Sequence, residues 1–118
     1  MLTRLFAWLA GETSVPDHAP RWARPRSPLW PKVRAEHLRH ESSCRVCGAK
    51  TGLAVHHKQP FHLFPGLELV DSNLITLCEG KDGGCHFRFG HLWNWAAWNS
   101  FVDEDCTIWA AKIQMRNH

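Results

Sequence analysis

No apolar run in this 118-residue sequence is long enough to cross a bilayer, which argues against an integral membrane protein. Net charge is nearly absent as well. It is formally +3, with a pI near 8.7, so a nucleic-acid partner is permitted without being demanded, and the placement of the charges matters more than their sum. There is no internal repeat and no low-complexity tract. Charged residues at 21% beside 44% hydrophobic ones exclude a disordered chain and fit a globular one. The length allows one domain with a modest core, and domains of that size often need a staple such as a structural metal. An even complement of cysteines is also lacking. Five would leave an orphan thiol in a disulfide framework, whereas the C-x2-C pair Cys44 and Cys47 in a reducing compartment reads more simply as half of a zinc site.

The opening MLTRLFAWLAG has too short an apolar part for a signal peptide; Arg4 interrupts it and AWLA is a poor cleavage site, so a cytoplasmic location is expected. Leu2, Leu5, Phe6 and Leu9 form one stripe of a short helix that docks on the domain. A membrane-surface helix would carry more Lys and Arg on its polar face. Prolines at 16, 20, 25, 28 and 31 then mark an extended arm in which Arg21, Arg24 and Arg26 interleave with Trp22 and Trp30. Such an arm suits a nucleic-acid backbone and its bases; equally, its tryptophans can cover the core.

Pro31 sits at a helix start, and residues 32–41 read as a helix with Val33 and Leu38 inward and Lys32, Arg34 and Arg39 outward. Short strands are expected at 53–57 and 74–77, separated by a loop carrying Pro60, Pro65 and Gly66. A helix rich in aromatics (Phe87, Phe89, Trp93, Trp95, Trp98) is expected over 85–99. Asp103 is expected to cap a last helix through Arg116, with Cys106, Trp109, Ala110 and Ile113 on one face.

The stretch 44–91 concentrates the chemistry. Cys78 and Cys85 complete a tetrahedral four-thiolate zinc site with Cys44 and Cys47, and the glycines of EGKDGG allow the longer C-x6-C loop. The bland alternative is a set of buried free thiols, and Cys106 reads as core. His56 and His57 end an apolar strand. Adjacent strand residues point to opposite sides, so one ring is free to ligate a metal while the other faces a substrate.

Four ordered blocks, Cys44-x2-Cys47, VHHKQP around His56 and His57, DSNLITLC around Asn73, and Cys85-His86, resemble the HNH endonuclease family. The preceding SPLWPKVRAEHLRH also looks like the helix that leads into the knuckle in small members of that family. The resemblance implies an α+β fold, a small ββα-metal core with a zinc knuckle and flanking helices. It divides the chain into an N-terminal helix and arm at 1–31 and a nuclease domain at 32–118, with the core motif at 44–91 and a helical buttress at 92–118.

The same resemblance implies that His57 is the general base, that His56 and His86 hold a catalytic divalent ion, and that Asn73 braces the loop and the His57 backbone. Zn, Ni, Mn or Co would suit imidazole ligands better than Mg. Lys58, Arg88, Arg24 and Arg26 are candidates for phosphate contacts. Colicin-like members place a further His four residues after the one matching His86, whereas here that position is Gly90 and His91 is five on. Residues five apart on a regular α-helix are about 140° apart, so His91 is a third ligand only if the helix carries a π-bulge or unwinds at Gly90. Otherwise it is a hydrogen-bonded helix histidine.

The expected function is metal-dependent hydrolysis of DNA phosphodiester bonds, with a structural Zn2+ and no small-molecule cofactor or membrane partner, in a bacterial or phage-encoded protein. The alternatives are a non-catalytic zinc-bound nucleic-acid-binding module, or an accessory component of a phage packaging or restriction system that acts with a protein partner. A zinc module would keep the four cysteines but have no use for His57, Asn73 and His86 together.

Overall fold

The structure, a computed structural model, describes residues 25–117. The expected helix at 2–9 and the arm residues Arg21, Trp22 and Arg24 lie outside the described residues.

Helix α1 (Trp30–His40) begins two residues before the expected start at 32, with Pro31 in its first turn, where a missing N–H costs nothing. His37, Arg39 and His40 crowd its last turn, the end at which the helix dipole favours positive charge. Its buried residue is His37, while Val33 and Leu38 are only half-buried. Arg34 does not face outward either: its guanidinium donates to the Leu53 carbonyl at 3.3 Å.

The knuckle follows, with Cys44 N–H donating to Ala49 O (2.8 Å) and Gly48 N–H to Cys44 O (3.0 Å). Strands β1 (Leu53–His57) and β2 (Leu74–Cys78) pair antiparallel with Leu53 opposite Cys78 and His57 opposite Leu74. This hairpin carries the core: Ile75 and Leu77 are fully buried, against Cys44, Val46, Cys85, Val102 and Cys106. Thr76 is fully buried on the other side of β2. Its N–H donates to a Glu41 carboxylate oxygen at 2.6 Å and its hydroxyl to the Glu41 carbonyl at 2.8 Å, so the end of α1 is fastened to the sheet.

After β2 the chain does not form the helix expected over 85–99. Instead His86–Gly90 make one π-helical turn, and residues 91–99 run as turns until α2 (Val102–Arg116). Two local preferences oppose a helix there. Leu92 and Trp93 take left-handed backbone (φ 52° and 65°), and the Asn94 side chain accepts the Ala96 N–H at 2.9 Å, a local alternative to the helical ladder. Among the described residues of the buttress expected at 92–118, only α2 is helical. Buried Asn99 joins its two parts: its amide donates to Phe89 O (2.9 Å) and to the Asp105 carboxylate (2.8 Å), and its Oδ1 accepts the Phe101 N–H (2.9 Å).

Asp103 does not cap α2. The cap position is Phe101, and Asp103 lies one residue inside the helix, where its carboxylate pairs with Lys58 at 2.7 Å. Cys106 is fully buried as expected, but Trp109 is 38% exposed.

Candidate active site and metal centres

The four thiols of Cys44, Cys47, Cys78 and Cys85 converge so that their sulfurs all lie within 4.8 Å of one another. Cys47 and Cys78 Sγ are 3.7 Å apart, and backbone N–H groups of Val46 and Cys85 donate to Cys44 Sγ (3.4 Å) and Cys78 Sγ (3.5 Å). N–H donors aimed at sulfur favour thiolate, the form that binds metal. The Cys44 thiol is brought down to about 4, chiefly by the hydrogen bond from Cys85, which in return is pushed up. Cys44 and Cys85 belong to the hydrophobic core itself, so this cluster is structural in position as well as in chemistry. Gly84 makes the approach possible: its φ is +60° and a Cβ there would run into the Cys78 carbonyl. The donor set fits a structural zinc.

A second convergence lies at the end of β1. His56, His86 and His91 each place a ring nitrogen within 4.8 Å of the others, and their ring centroids are pairwise 4.9 Å apart. The π turn makes this possible. Its i→i+5 geometry returns His91 to the side of His86, where an α-helical turn would have swung it away. The outer nitrogens are held: His86 Nδ1 donates to the Glu79 carboxylate (3.0 Å) and His91 Nδ1 to the Ala97 carbonyl (2.8 Å). Both rings therefore present their Nε2 lone pairs inward, as metal-bound imidazoles do when an acceptor holds the proton on the other nitrogen.

His56 Nδ1 faces the lone pair of His86 Nε2 at 3.0 Å, and His56 Nε2 is the buried side-chain atom without a hydrogen-bond partner among the described residues. If Nδ1 carries the proton, the Nε2 lone pair is orphaned. If Nε2 carries it, two lone pairs oppose each other and the N–H is orphaned. A cation among the three nitrogens turns the two opposed lone pairs from a repulsion into a ligand pair, so the residues present fit a divalent ion. Burial, aided by the neighbouring imidazoles, lowers His56 to about 3, and burial also lowers His86, which favours the neutral, ligating form of these two rings. Glu79 and Ala97 were not singled out from the sequence; the acid could have been noted beside Cys78, but nothing marks a backbone carbonyl.

His57 points the other way. Its Nε2 donates to the Glu68 carbonyl at 2.9 Å, which leaves the lone pair on Nδ1, and an Arg26 guanidinium nitrogen stands 3.4 Å from that atom. Trp30 covers the ring (centroids 4.6 Å apart), and Arg26 itself lies between the Trp30 and Phe61 rings. His57 is lowered by burial first and by the Arg26 charge, against the opposing effect of the Glu68 carbonyl. The arm thus covers part of the site, and Ser27 N–H fastens it to the Glu68 carboxylate at 3.0 and 3.2 Å.

Asn73 is buried below the loop. Its amide donates to Gln59 O and Leu67 O, its Oδ1 accepts the Gln59 N–H, and its own carbonyl accepts the Lys58 N–H at 2.8 Å. It therefore fixes the chain just after His57. Of the candidate phosphate contacts, Arg26 lies beside His57, Lys58 is paired with Asp103, Arg88 lies over Trp93, and Arg24 is outside the described residues. A third group, His37, His40 and Asp71, was not anticipated. Both imidazoles meet one Asp71 oxygen, at 2.9 and 3.1 Å, and His37 Nε2 reaches the Glu41 carboxylate at 3.0 Å.

A two-stranded antiparallel hairpin followed by a helical turn, with a four-cysteine knuckle at its base and histidines at its tip, defines an α+β, ββα-type metal-site protein. Residues 44–82, about a third of the chain, match the family model described as HNH endonuclease, and the four-cysteine cluster makes this HNH segment one of zinc-knuckle type. The match includes His56, His57 and Asn73; Cys85, His86 and His91 lie beyond it. No curated protein and no solved structure matches the chain. Among the described residues no helix is long and apolar enough to cross a membrane.

Proposed function

We propose that the protein is a metal-dependent endonuclease hydrolysing DNA phosphodiester bonds, with His57 as the general base. The observation that carries the reading is the divided end of β1: His56 turns to a trio of inward-facing imidazoles, while His57 turns to a carbonyl that fixes its tautomer, within a segment matched by the HNH endonuclease family. Neutral His57 accepts a proton from the attacking water at Nδ1 while the Glu68 carbonyl retains the Nε2 proton. Asn73 holds the backbone that aims the ring. Arg26 donates to Nδ1, and its turning to a phosphate oxygen would free that lone pair for the water.

His56, His86 and His91 would hold the catalytic ion, and Zn, Ni, Mn or Co suits three imidazoles better than Mg. When bound, a divalent ion there supplies charge neutralisation at the phosphate and the leaving oxygen. Cys44, Cys47, Cys78 and Cys85 would hold a separate structural zinc. A non-catalytic zinc module has no need of the trio or of the fixed His57 tautomer, and so accounts for less of the structure. The test is plasmid cleavage by purified protein across a divalent-metal series, run beside His57→Ala. Metal-dependent cutting by the parent and none by the folded variant is expected; equal cutting by both would refute the role of His57.

A further inference from the structure

A row of aromatic rings starts on the histidine trio and leads away from it. Trp95 stands against two of the ligating rings, its centroid 5.4 Å from His86 and 4.8 Å from His91. Phe87 lies 4.7 Å from Trp95, and Trp93 lies 5.9 Å from Phe87. The Arg88 guanidinium covers Trp93 at 5.5 Å. Beyond Trp93 the row enters a groove of about 600 Å³ between the cysteine cluster and α2, lined there by Trp109 and Arg116; outside the groove lining, Lys112 Nζ stands 4.8 Å from the Trp109 ring. Asp105 also lines the groove, but the Asn99 amide occupies its carboxylate at 2.8 Å.

These rings are not core residues that failed to be covered. Trp93 is 63% exposed and Trp95 56%. The backbone that presents them is left-handed at Leu92 and Trp93, a conformation that bulky residues rarely adopt and that tends to persist at functional sites. Two hydrogen bonds hold it: Trp93 N–H donates to Phe87 O at 3.0 Å, and His91 Nδ1 donates to Ala97 O. The fold therefore keeps large apolar faces in water beside a candidate catalytic centre.

We propose that this row is a stacking track for the unpaired bases of a single DNA strand running from the scissile phosphate, and that the preferred substrate is single-stranded or frayed DNA. The inference rests on the endonuclease reading for the position of the scissile phosphate. Three features select this occupant. The exposed faces of Trp93 and Trp95, held by Phe87 between them at 81° and 38° to its own plane, offer stacking surfaces to bases of any sequence, because every base has a stackable face. The interleaved Arg88, Lys112 and Arg116 match a phosphate backbone. Duplex DNA presents groove edges and phosphates but keeps its base faces stacked inside, so it would leave the rings unused.

The experiment compares the full-length zinc-loaded protein with Trp93→Ala, and with Trp93→Leu, which keeps apolar bulk but removes the ring. Affinity for a fluorescent 12-mer of thymidylate and for a blunt hairpin duplex is read by anisotropy, and cobalt absorbance checks that the trio still binds metal. The parent is expected to bind the single strand at least about tenfold more tightly than the duplex. Both variants should lose about tenfold for the single strand only, the scale expected when one base loses its stacking partner. Equal binding of the two DNAs by the parent, or unchanged single-strand binding by Trp93→Leu with metal binding intact, overturns the proposal. Selective single-strand binding without cleavage under any divalent metal would leave the track standing and refute the endonuclease reading. Cleavage without strand preference would do the reverse.

Discussion

Gly90 lies flat against the His56 ring: a Cβ at this position would stand 3.0 Å from His56 Cε1 and Nε2 and 3.2 Å from Nδ1. His56 is buried, and its ring cannot give way without leaving the trio. Gly90→Ala is therefore expected to keep the fold, because the four-cysteine cluster is untouched, and to weaken divalent-metal binding by roughly 10- to 100-fold, the range seen when a ligand's supporting shell is disturbed. Calorimetric metal titration of both proteins measures this. An unchanged affinity would mean that His56 is not a ligand.

His56→Ala and His57→Ala should fail for different reasons, because the two rings face opposite sides of β1. Removing His56 takes away a ligand, so the rate should recover partly at high metal. Removing His57 should cost about 10²–10⁴ in rate at saturating metal and leave metal affinity nearly intact, with imidazole in the buffer as the agent that restores it. Rescue of His57→Ala by metal alone would show the roles to be reversed.

Chelator-washed protein is expected to retain one zinc per chain on Cys44, Cys47, Cys78 and Cys85. Cys85→Ser should abolish the folded state, since Cys44 and Cys85 are core residues and binding of a structural zinc is worth on the order of 10 kcal/mol, comparable to a small domain's whole stability. Elemental analysis with far-UV circular dichroism decides it. Folded protein holding under about half an equivalent of zinc contradicts the assignment.

Two carboxylates at the end of α1 set an acid limit. The hydrogen bond from His37, with the charges of His37 and His40, holds Asp71 below its ordinary value. Glu41 is pushed up by burial, but the Thr76 N–H, His37 and Arg45 outweigh this and hold it low. Their folded pKa values lie below the unfolded ones, so the stability they contribute is complete above the ordinary carboxylate range and is lost as pH falls through the folded values. Between about pH 5 and pH 2 the melting temperature of the parent should therefore fall more steeply than that of Asp71→Asn. Loss of zinc in acid affects both proteins and cancels in the comparison. Parallel melting curves would count against a stabilising role for Asp71.

Lys58 and Asp103 form an ion pair at 2.7 Å with Asp103 43% exposed, so Asp103→Asn should cost at most about 1 kcal/mol in denaturant unfolding. It also frees Lys58 beside the candidate base, and DNA affinity should rise with a steeper salt dependence. A salt slope identical to the parent's would place Lys58 away from the phosphates.

What could be read from the sequence was what local pattern determines. LAVHH and LITLC became the two strands because their apolar residues flank a loop closed by prolines and glycine, and the cysteine spacing was enough to bring four thiols together. The opposite facing of His56 and His57 followed from strand geometry alone. The place of His91 did not: its sequence separation suits a π turn and not an α turn, and nothing in HFRFG announces which will form. The helix expected over 85–99 failed because aromatic content is not periodicity, and Asn94 and Asn99 spend their side chains on nearby backbone. The cover of Arg26 and Trp30 over His57, and the His37–Asp71 contact, join residues 27 to 34 positions apart, which no window of sequence reports.

The π turn has a consequence for insertions and deletions. It accommodates one residue more than an α turn would between the same two histidines. Deleting one residue from 87–89 would bring His86 and His91 to i, i+4, which an ordinary α-helix places on one face, so the trio survives a shortened chain. Inserting a residue offers no such exit, because neither helix type returns i, i+6 to a common side. The centre should therefore be far more sensitive to an added codon than to a missing one.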